Sequence, residues 1–137
     1  MGKKVREVMT ARLCAIDADK PVAYAAKMMK DEDVGLAPIV EGDRLVGAVT
    51  DRDIAIRAVA EGKDPQTTLV TDIASTQLVT VDPDQDLDEA LRLMARHQVR
   101  RLPVVEEDGK LVGVLAQADV AREGMDQKTG EVVQQIS

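Results

Sequence analysis

Thr50 and Asp53 stand three residues apart in "GAVTDRDI", residues 47–54. An apolar strand-like run ends here and an apolar helical run begins. A hydroxyl followed three residues on by a carboxylate is a capping box, in which each side chain meets the other residue's backbone N–H. The same pair sets a hydroxyl donor and carboxylate acceptors beside helix-end amides that favour anions. "HQVRRLP" places His97, Arg100 and Arg101 ahead of Pro103, and Arg52 lies inside the first motif. Arginine presents a fixed fork of donors suited to phosphate or carboxylate. Alternation along a strand sends Arg100 and Arg101 to opposite faces. Cys14 and His97 are the strongest soft or borderline metal donors, fewer than the three or four ligands a zinc site wants. Ordinary packing is expected for Cys14, and a helix C-terminal cation for His97. Ser75 and Ser137, the two serines, sit in no nucleophile motif, and there is no P-loop or G-x-G-x-x-G. No enzyme activity is expected.

The totals exclude further classes. The chain has 137 residues, 45% apolar and 31% charged, with a net charge of −7. That charge argues against a nucleic-acid partner, which rewards basic faces. With Tyr24 the one aromatic residue, there is no platform for stacked bases. A single cysteine excludes an internal disulfide and suits a reducing compartment. No apolar run reaches membrane-spanning length, and the basic N-terminus lacks the apolar core of a signal peptide. Gly2 could suggest myristoylation, but Arg6 stands where Ser or Thr is wanted. A cytoplasmic protein is expected, with no membrane partner.

The elements that position these residues come in duplicate. Pro38 aligns with Pro103, 65 residues on, and Gly47 with Gly113, 66 on. Upstream, Leu13, Ile16 and Asp17 match Leu78, Val81 and Asp82. The stripe Val22, Ala25, Ala26, Met29 matches Leu87, Ala90, Leu91, Met94, and both run i, i+3, i+4, i+7, one face of a helix. Each copy reads as a short helical turn ("VREVM", "VTDIA"), a strand near 13–16 or 78–81, and a helix near 21–33 or 86–98. Two strands follow, 36–40 with 44–50 and 101–106 with 110–116, and then a last helix at Thr50 or near Gln117. Pro21 suits the first turn of the first long helix, and Asp84 can cap the second. "EGD" and "EDG" supply the hairpin turns. The expected organisation is repeat 1 over 1–66, repeat 2 over 67–126, and a short helical tail over 127–137 carrying Val132, Val133 and Ile136. One unit is too small to bury its sheet alone, so the two are expected to pack with pseudo-twofold symmetry. "DIAIRAVA", residues 53–60, is apolar almost all round, which points to a partner subunit.

The double βαββα pattern, "LAPIV" and "RLPVV" at the second strand, and glycine-apolar-apolar-Thr-x-x-Asp before the last helix resemble tandem CBS domains, a Bateman module, over about residues 4–124. The chain is similar to stand-alone bacterial CBS-pair proteins. The resemblance implies an α/β (α+β) fold of two packed CBS repeats. It also implies a regulatory role: binding an adenosine-containing ligand such as AMP, ADP, ATP or S-adenosylmethionine in the cleft between repeats and signalling to an effector protein, commonly as a homodimer.

Carried onto this chain, the resemblance gives Asp53 to the ribose hydroxyls and Thr50 to the ribose or first phosphate. Cys14, Ala15 and Ile16 line the pocket. Pro38, lacking a donor, leaves backbone groups of Ala37 to meet an adenine edge. Arg101 reaches phosphate, with Arg100 and Arg52 as further candidates. Copy two departs from the pattern: "GVLAQAD" keeps Asp119 but has Ala116 where Thr50 stood, so its site is expected to be weak or empty. No cofactor is required beyond the regulatory nucleotide. Two competing classes are a ligand-free dimeric adaptor, in which both motifs act only as caps, and a small metal or redox sensor using Cys14 and His97.

Overall fold

The computed structural model describes residues 2–11 and 13–123. The expected tail helix of 127–137 lies outside them. Two compact units form, and they do not follow the linear halves of the chain. One gathers residues 13–78 and 105–111; the other gathers 2–11, 79–104 and 112–123.

The first unit holds β1 (Ile16–Asp17), α2 (Val22–Glu32), β2 (Leu36–Glu41), β3 (Arg44–Thr50), α3 (Asp51–Asp53) and α4 (Val70–Ile73). α3 runs directly into a π-helical turn, Ile54–Val59. β2 is central, parallel to β1 and antiparallel to β3. Its core is built from Ile16, Val22, Ala25, Met29, Ile39, Val49, Ala58, Val70 and Ile73. The α2 stripe read from the sequence is thus the buried face, except that Ala26 is exposed. Pro21 stands just before α2 with extended backbone, outside the first turn where it was expected. It bridges Leu69, and main-chain oxygens of Thr68 and Pro65 accept from Val22 and Ala23 N–H, so the chain itself satisfies the helix start.

The second unit holds α1 (Val5–Val8), α5 (Leu87–His97), all but the last residue of β4 (Arg101–Val105), all but the first of β5 (Leu111–Ala116), and α6, helical over 117–123. Val5, Val81, Leu87, Ala90, Met94, Leu102, Val104, Leu115 and Val120 form its core. The strand expected near 78–81 is reduced to one parallel bridge, Val81 to Val104. The strand expected near 13–16 likewise starts late, at Ile16, because Cys14 adopts a left-handed backbone (φ 44°) that an extended strand cannot include. Asp84 does not cap α5. Asp86 does, accepting from Asp88 N–H at 3.0 Å, while Asp84 pairs with Arg6 at 2.7 Å.

The short helix that opens each repeat belongs to the other repeat's unit. α1 precedes copy one in sequence, yet Val5 N–H donates to Gln85 and Arg6 N–H to Pro83. α4 precedes copy two, yet Val70 N–H donates to Lys20. After each helix the chain runs along the outer edge of a strand. Ser75 exchanges two 3.0 Å backbone hydrogen bonds with Ala48, and Thr10 exchanges bonds of 2.9 and 3.0 Å with Val114. The matched glycines are explained by these passages. A Cβ on Gly47 would lie 3.1 Å from the Ser75 carbonyl oxygen; one on Gly113 would lie 2.9 Å from that of Thr10 and 2.7 Å from Met9 Sδ. Gly113→Ala should therefore cost about 1–3 kcal/mol, the range for overpacking, and Gly47→Ala less. Denaturant unfolding of both variants beside the parent measures the order.

Candidate functional site

Thr50 closes β3 and α3 begins at the next residue. Thr50 Oγ1 accepts from Asp53 N–H at 3.0 Å, and Asp53 Oδ2 accepts from Thr50 N–H at 3.0 Å. The capping box is complete. It does not exhaust the two side chains. The Thr50 hydroxyl keeps its proton, and Asp53 keeps Oδ1, whose neighbour is Arg57 Nε at 3.8 Å. The Asp53 side chain is 15% exposed, so its carboxylate is largely desolvated. Arg52, beside them, is exposed.

Strand register decides which backbone groups of "LAPIV" are available. Asp51 N–H donates to Gly35 C=O at 3.0 Å, and Ala48 spends both backbone groups on Ser75, away from β2. Leu36 opposite Thr50 and Pro38 opposite Ala48 are therefore the non-hydrogen-bonded pairs. Ala37, opposite Val49, directs its N–H and C=O into β3. The expectation that Pro38 frees Ala37 is thus corrected: Pro38 lies in the central strand, and its missing donor faces the β1 side. The groups that point away from β3 at this end belong to Leu36, and the β1 ladder begins only at Ile39. Leu36 was passed over in the sequence; alternation from the Thr50 pair would have found it.

Cys14, Ala15 and Ile16 lie in the same unit as this motif. Cys14 is half-buried with Sγ 4.0 Å from Glu32 Oε2, Ala15 is half-buried, and Ile16 is sealed in the core. Two open hollows also occur in this unit. One of about 460 Å³ is lined by Asp17, Asp19, Val40, Glu41 and Thr71, and one of about 280 Å³ by Ala26, Met29, Lys30, Val34, Asp51 and Ile54. Neither contains Thr50 or Asp53.

The second unit carries Arg100, Arg101, His97 and Asp119. Arg100 is exposed and Arg101 half-buried at the start of β4; His97 is the exposed last residue of α5. Gln117 N–H donates to Arg100 C=O at 2.7 Å, the counterpart of the Asp51–Gly35 bond. Asp119 is not left without a hydroxyl. Thr10 Oγ1 donates to its Oδ2 at 3.4 Å, and Arg122 approaches its Oδ1 at 3.7 Å. Thr10 was missed in the sequence, although it sits 65 residues before Ser75 in the same repeat register. On the same arm, Lys3 donates to Glu123 at 2.6 Å, and that hydrogen bond raises the Lys3 pKa. Among the described residues, no group of three or more His, Cys, Asp or Glu side chains is placed to hold a metal ion, and no helix is long and apolar enough to cross a membrane.

A repeated helix-and-strand unit with a capped strand-to-helix turn defines a class of regulatory module. The chain belongs to the CBS domain family, whose model matches residues 5–59 and 70–126. It is 40% identical over 134 residues to the CBS domain-containing protein YhcV of Bacillus subtilis, covering 97% of this chain and 94% of that one. It is similar to Hypoxic response protein 1 of Mycobacterium tuberculosis, 39% identical over 118 residues, covering 85% of this chain and 82% of that one. A crystal structure of Hypoxic Response Protein I with two coordinated zinc ions superposes with a TM-score of 0.80 at 38% identity, over 88% of this chain and 98% of that one. CBSX2 of Arabidopsis thaliana, in complex with AMP, superposes with a TM-score of 0.80 at 27% identity, over 93% of this chain and 99% of that one.

The cap itself has a testable weight. Thr50→Val removes the oxygen that accepts from Asp53 N–H, and should cost about 1 kcal/mol of stability. A melting curve reads this without any ligand.

Proposed function

We propose that this CBS pair is a regulatory module that binds an adenosine-containing nucleotide and passes its occupancy to an effector protein, with no reaction of its own. The observation that carries it is the half-used capping box. Thr50 and Asp53 are fixed by the cap, yet a hydroxyl proton and one carboxylate oxygen remain for a ligand. Two ribose hydroxyls are donors suited to Asp53 Oδ1, and a ribose or phosphate oxygen is an acceptor suited to the Thr50 hydroxyl. The outward N–H and C=O of Leu36 offer a donor–acceptor pair to an adenine edge. Cys14 and Ala15 flank the entry to β1. Arg52, Arg100 and Arg101 are the proposed phosphate donors. The AMP complex of CBSX2 supports the ligand class. No cofactor is called for besides that nucleotide, and a reducing cytoplasm suits the single Cys14.

The module works as a homodimer in this reading. Ile56 is 48% and Val59 68% exposed on the π turn, while Ala58 beside them is buried. The nearly all-apolar helix thus buries one face in its own unit and leaves another open. Light scattering at micromolar concentration should give twice the chain mass; a monomer that persists at high concentration counts against it.

Asp53→Ala should weaken AMP by about 10- to 150-fold, the worth of a hydrogen bond to a charged group of roughly 1.5–3 kcal/mol. Asp119→Ala should do much less, because copy two has Ala116 where Thr50 supplies a hydroxyl and Thr10 already donates to the Asp119 carboxylate. Calorimetric titration of AMP, ATP and S-adenosylmethionine against parent and variants measures both. If the parent binds and both variants bind equally well, the motif is a cap alone and the adaptor reading stands.

A second reading, a metal sensor, draws on Cys14 with Glu32 nearby and on the zinc ions of Hypoxic Response Protein I. It expects zinc to raise the melting temperature of the parent and not of Cys14→Ser, with His97 a further candidate ligand.

A further inference from the structure

Arg57 has no place in the sequence motif, yet it touches the motif's carboxylate. Its Nε lies 3.8 Å from Asp53 Oδ1, and its Nη1 donates to the Ile73 main-chain oxygen at 3.2 Å. Ile73 ends α4, so its carbonyl is a helix-end acceptor without a partner inside the helix. One planar guanidinium therefore meets the outer oxygen of Asp53 and the end of the arm that seats Ser75 on β3. At 3.8 Å the Asp53 contact is one of charge, longer than a hydrogen bond, so Oδ1 keeps its capacity to accept from a hydroxyl. Thr50 N–H holds Oδ2. The carboxylate is thus flanked by a backbone donor on one oxygen and a cation on the other, with 15% of the side chain exposed.

The backbone beneath Arg57 is unusual. Ala60 N–H donates to Ala55, and Lys63 N–H to Ala58, each at 2.9 Å and five residues back. Such π turns are rare and gather at functional positions. This one carries Arg57 towards Ile73 and Ala58 into the core, with Ile56 and Val59 outside. Among the described residues, copy two places different side chains at the matching positions. Sixty-six residues on from Arg57 stands Glu123, engaged by Lys3, and the cation near Asp119 is Arg122, three residues along. The bridge is a property of the Thr50–Asp53 copy.

We propose that Arg57 is a positioning residue for this site: it aims Asp53 Oδ1 at the ligand's hydroxyl pair while anchoring that carboxylate to the end of α4. The proposal rests on the nucleotide reading above. Discrimination between a ribose and a sugar without hydroxyls then depends on Arg57, although Arg57 touches no ligand.

The test titrates AMP and 2′,3′-dideoxy-AMP against the parent, Arg57→Ala and Arg57→Lys. The parent should prefer AMP. Arg57→Ala should weaken AMP about fivefold, the worth of an ion pair near 1 kcal/mol, and leave the dideoxy nucleotide unchanged. Arg57→Lys keeps a cation beside Asp53 and should recover part of the preference. Arg57→Gln replaces the alanine variant if melting curves show that it does not fold. If loss of Arg57 weakens both nucleotides alike, or neither, the residue is structural only and the proposal falls with the nucleotide reading intact. A parent that binds neither overturns the nucleotide reading, and this proposal with it.

Discussion

The pairing of Ala48 with Ser75 is the interaction on which the geometry around Thr50 and Asp53 depends. Its two backbone bonds turn Ala48 away from β2 and so fix the parity of every residue in the hairpin. Shift that parity by one, and Ala37 would point outward and Leu36 inward. Gly47 permits the approach, since any side chain there would meet the Ser75 carbonyl. The arm also ends α4, whose last carbonyl Arg57 holds. Strand register, arm and Asp53 orientation are therefore one mechanical assembly. Thr10, Val114 and Gly113 repeat the first part of it in the other unit.

The repeat made most of this fold legible. Val22, Ala25 and Met29 and their partners Leu87, Ala90 and Met94 announced both long helices, and the hairpins fall within a residue of their expected bounds. Residues whose conformation depends on distant chain were harder to read. Cys14 takes a left-handed backbone that its type does not suggest. Pro21 and Asp84 behave as they do because residues 65–69 and Arg6 reach them. At the site, Thr50 and Asp53 were visible because a cap is local. The placements of Leu36, Thr10 and Arg57 were not, because they arise from cross-strand parity, an arm more than a hundred residues distant, and a π turn.

A capping box and a binding site are often treated as rival explanations of one motif. In the proposed site they divide the atoms. The cap takes one lone pair of Thr50 Oγ1 and one oxygen of Asp53. That commitment removes rotamer freedom from both side chains before any ligand arrives, which lowers the entropy cost of binding. A motif that caps well is for this reason a better receptor than two loose side chains of the same type.

The exchanged arms also impose an order in time. α4 and Ser75 find Lys20 and Ala48 already made when they leave the ribosome. α1 and Thr10 leave first, but their partners are Pro83, Gln85 and Val114. At synthesis rates of about 5–20 residues per second, the first segment waits on the order of 5–20 s for Val114. Val5, fully buried in the finished protein, meets its first partners only when Val81, Gln85 and Leu87 have been made. Residues 3–10 therefore cannot complete their native contacts until most of the second repeat has been made, and the length of that delay is set by translation speed.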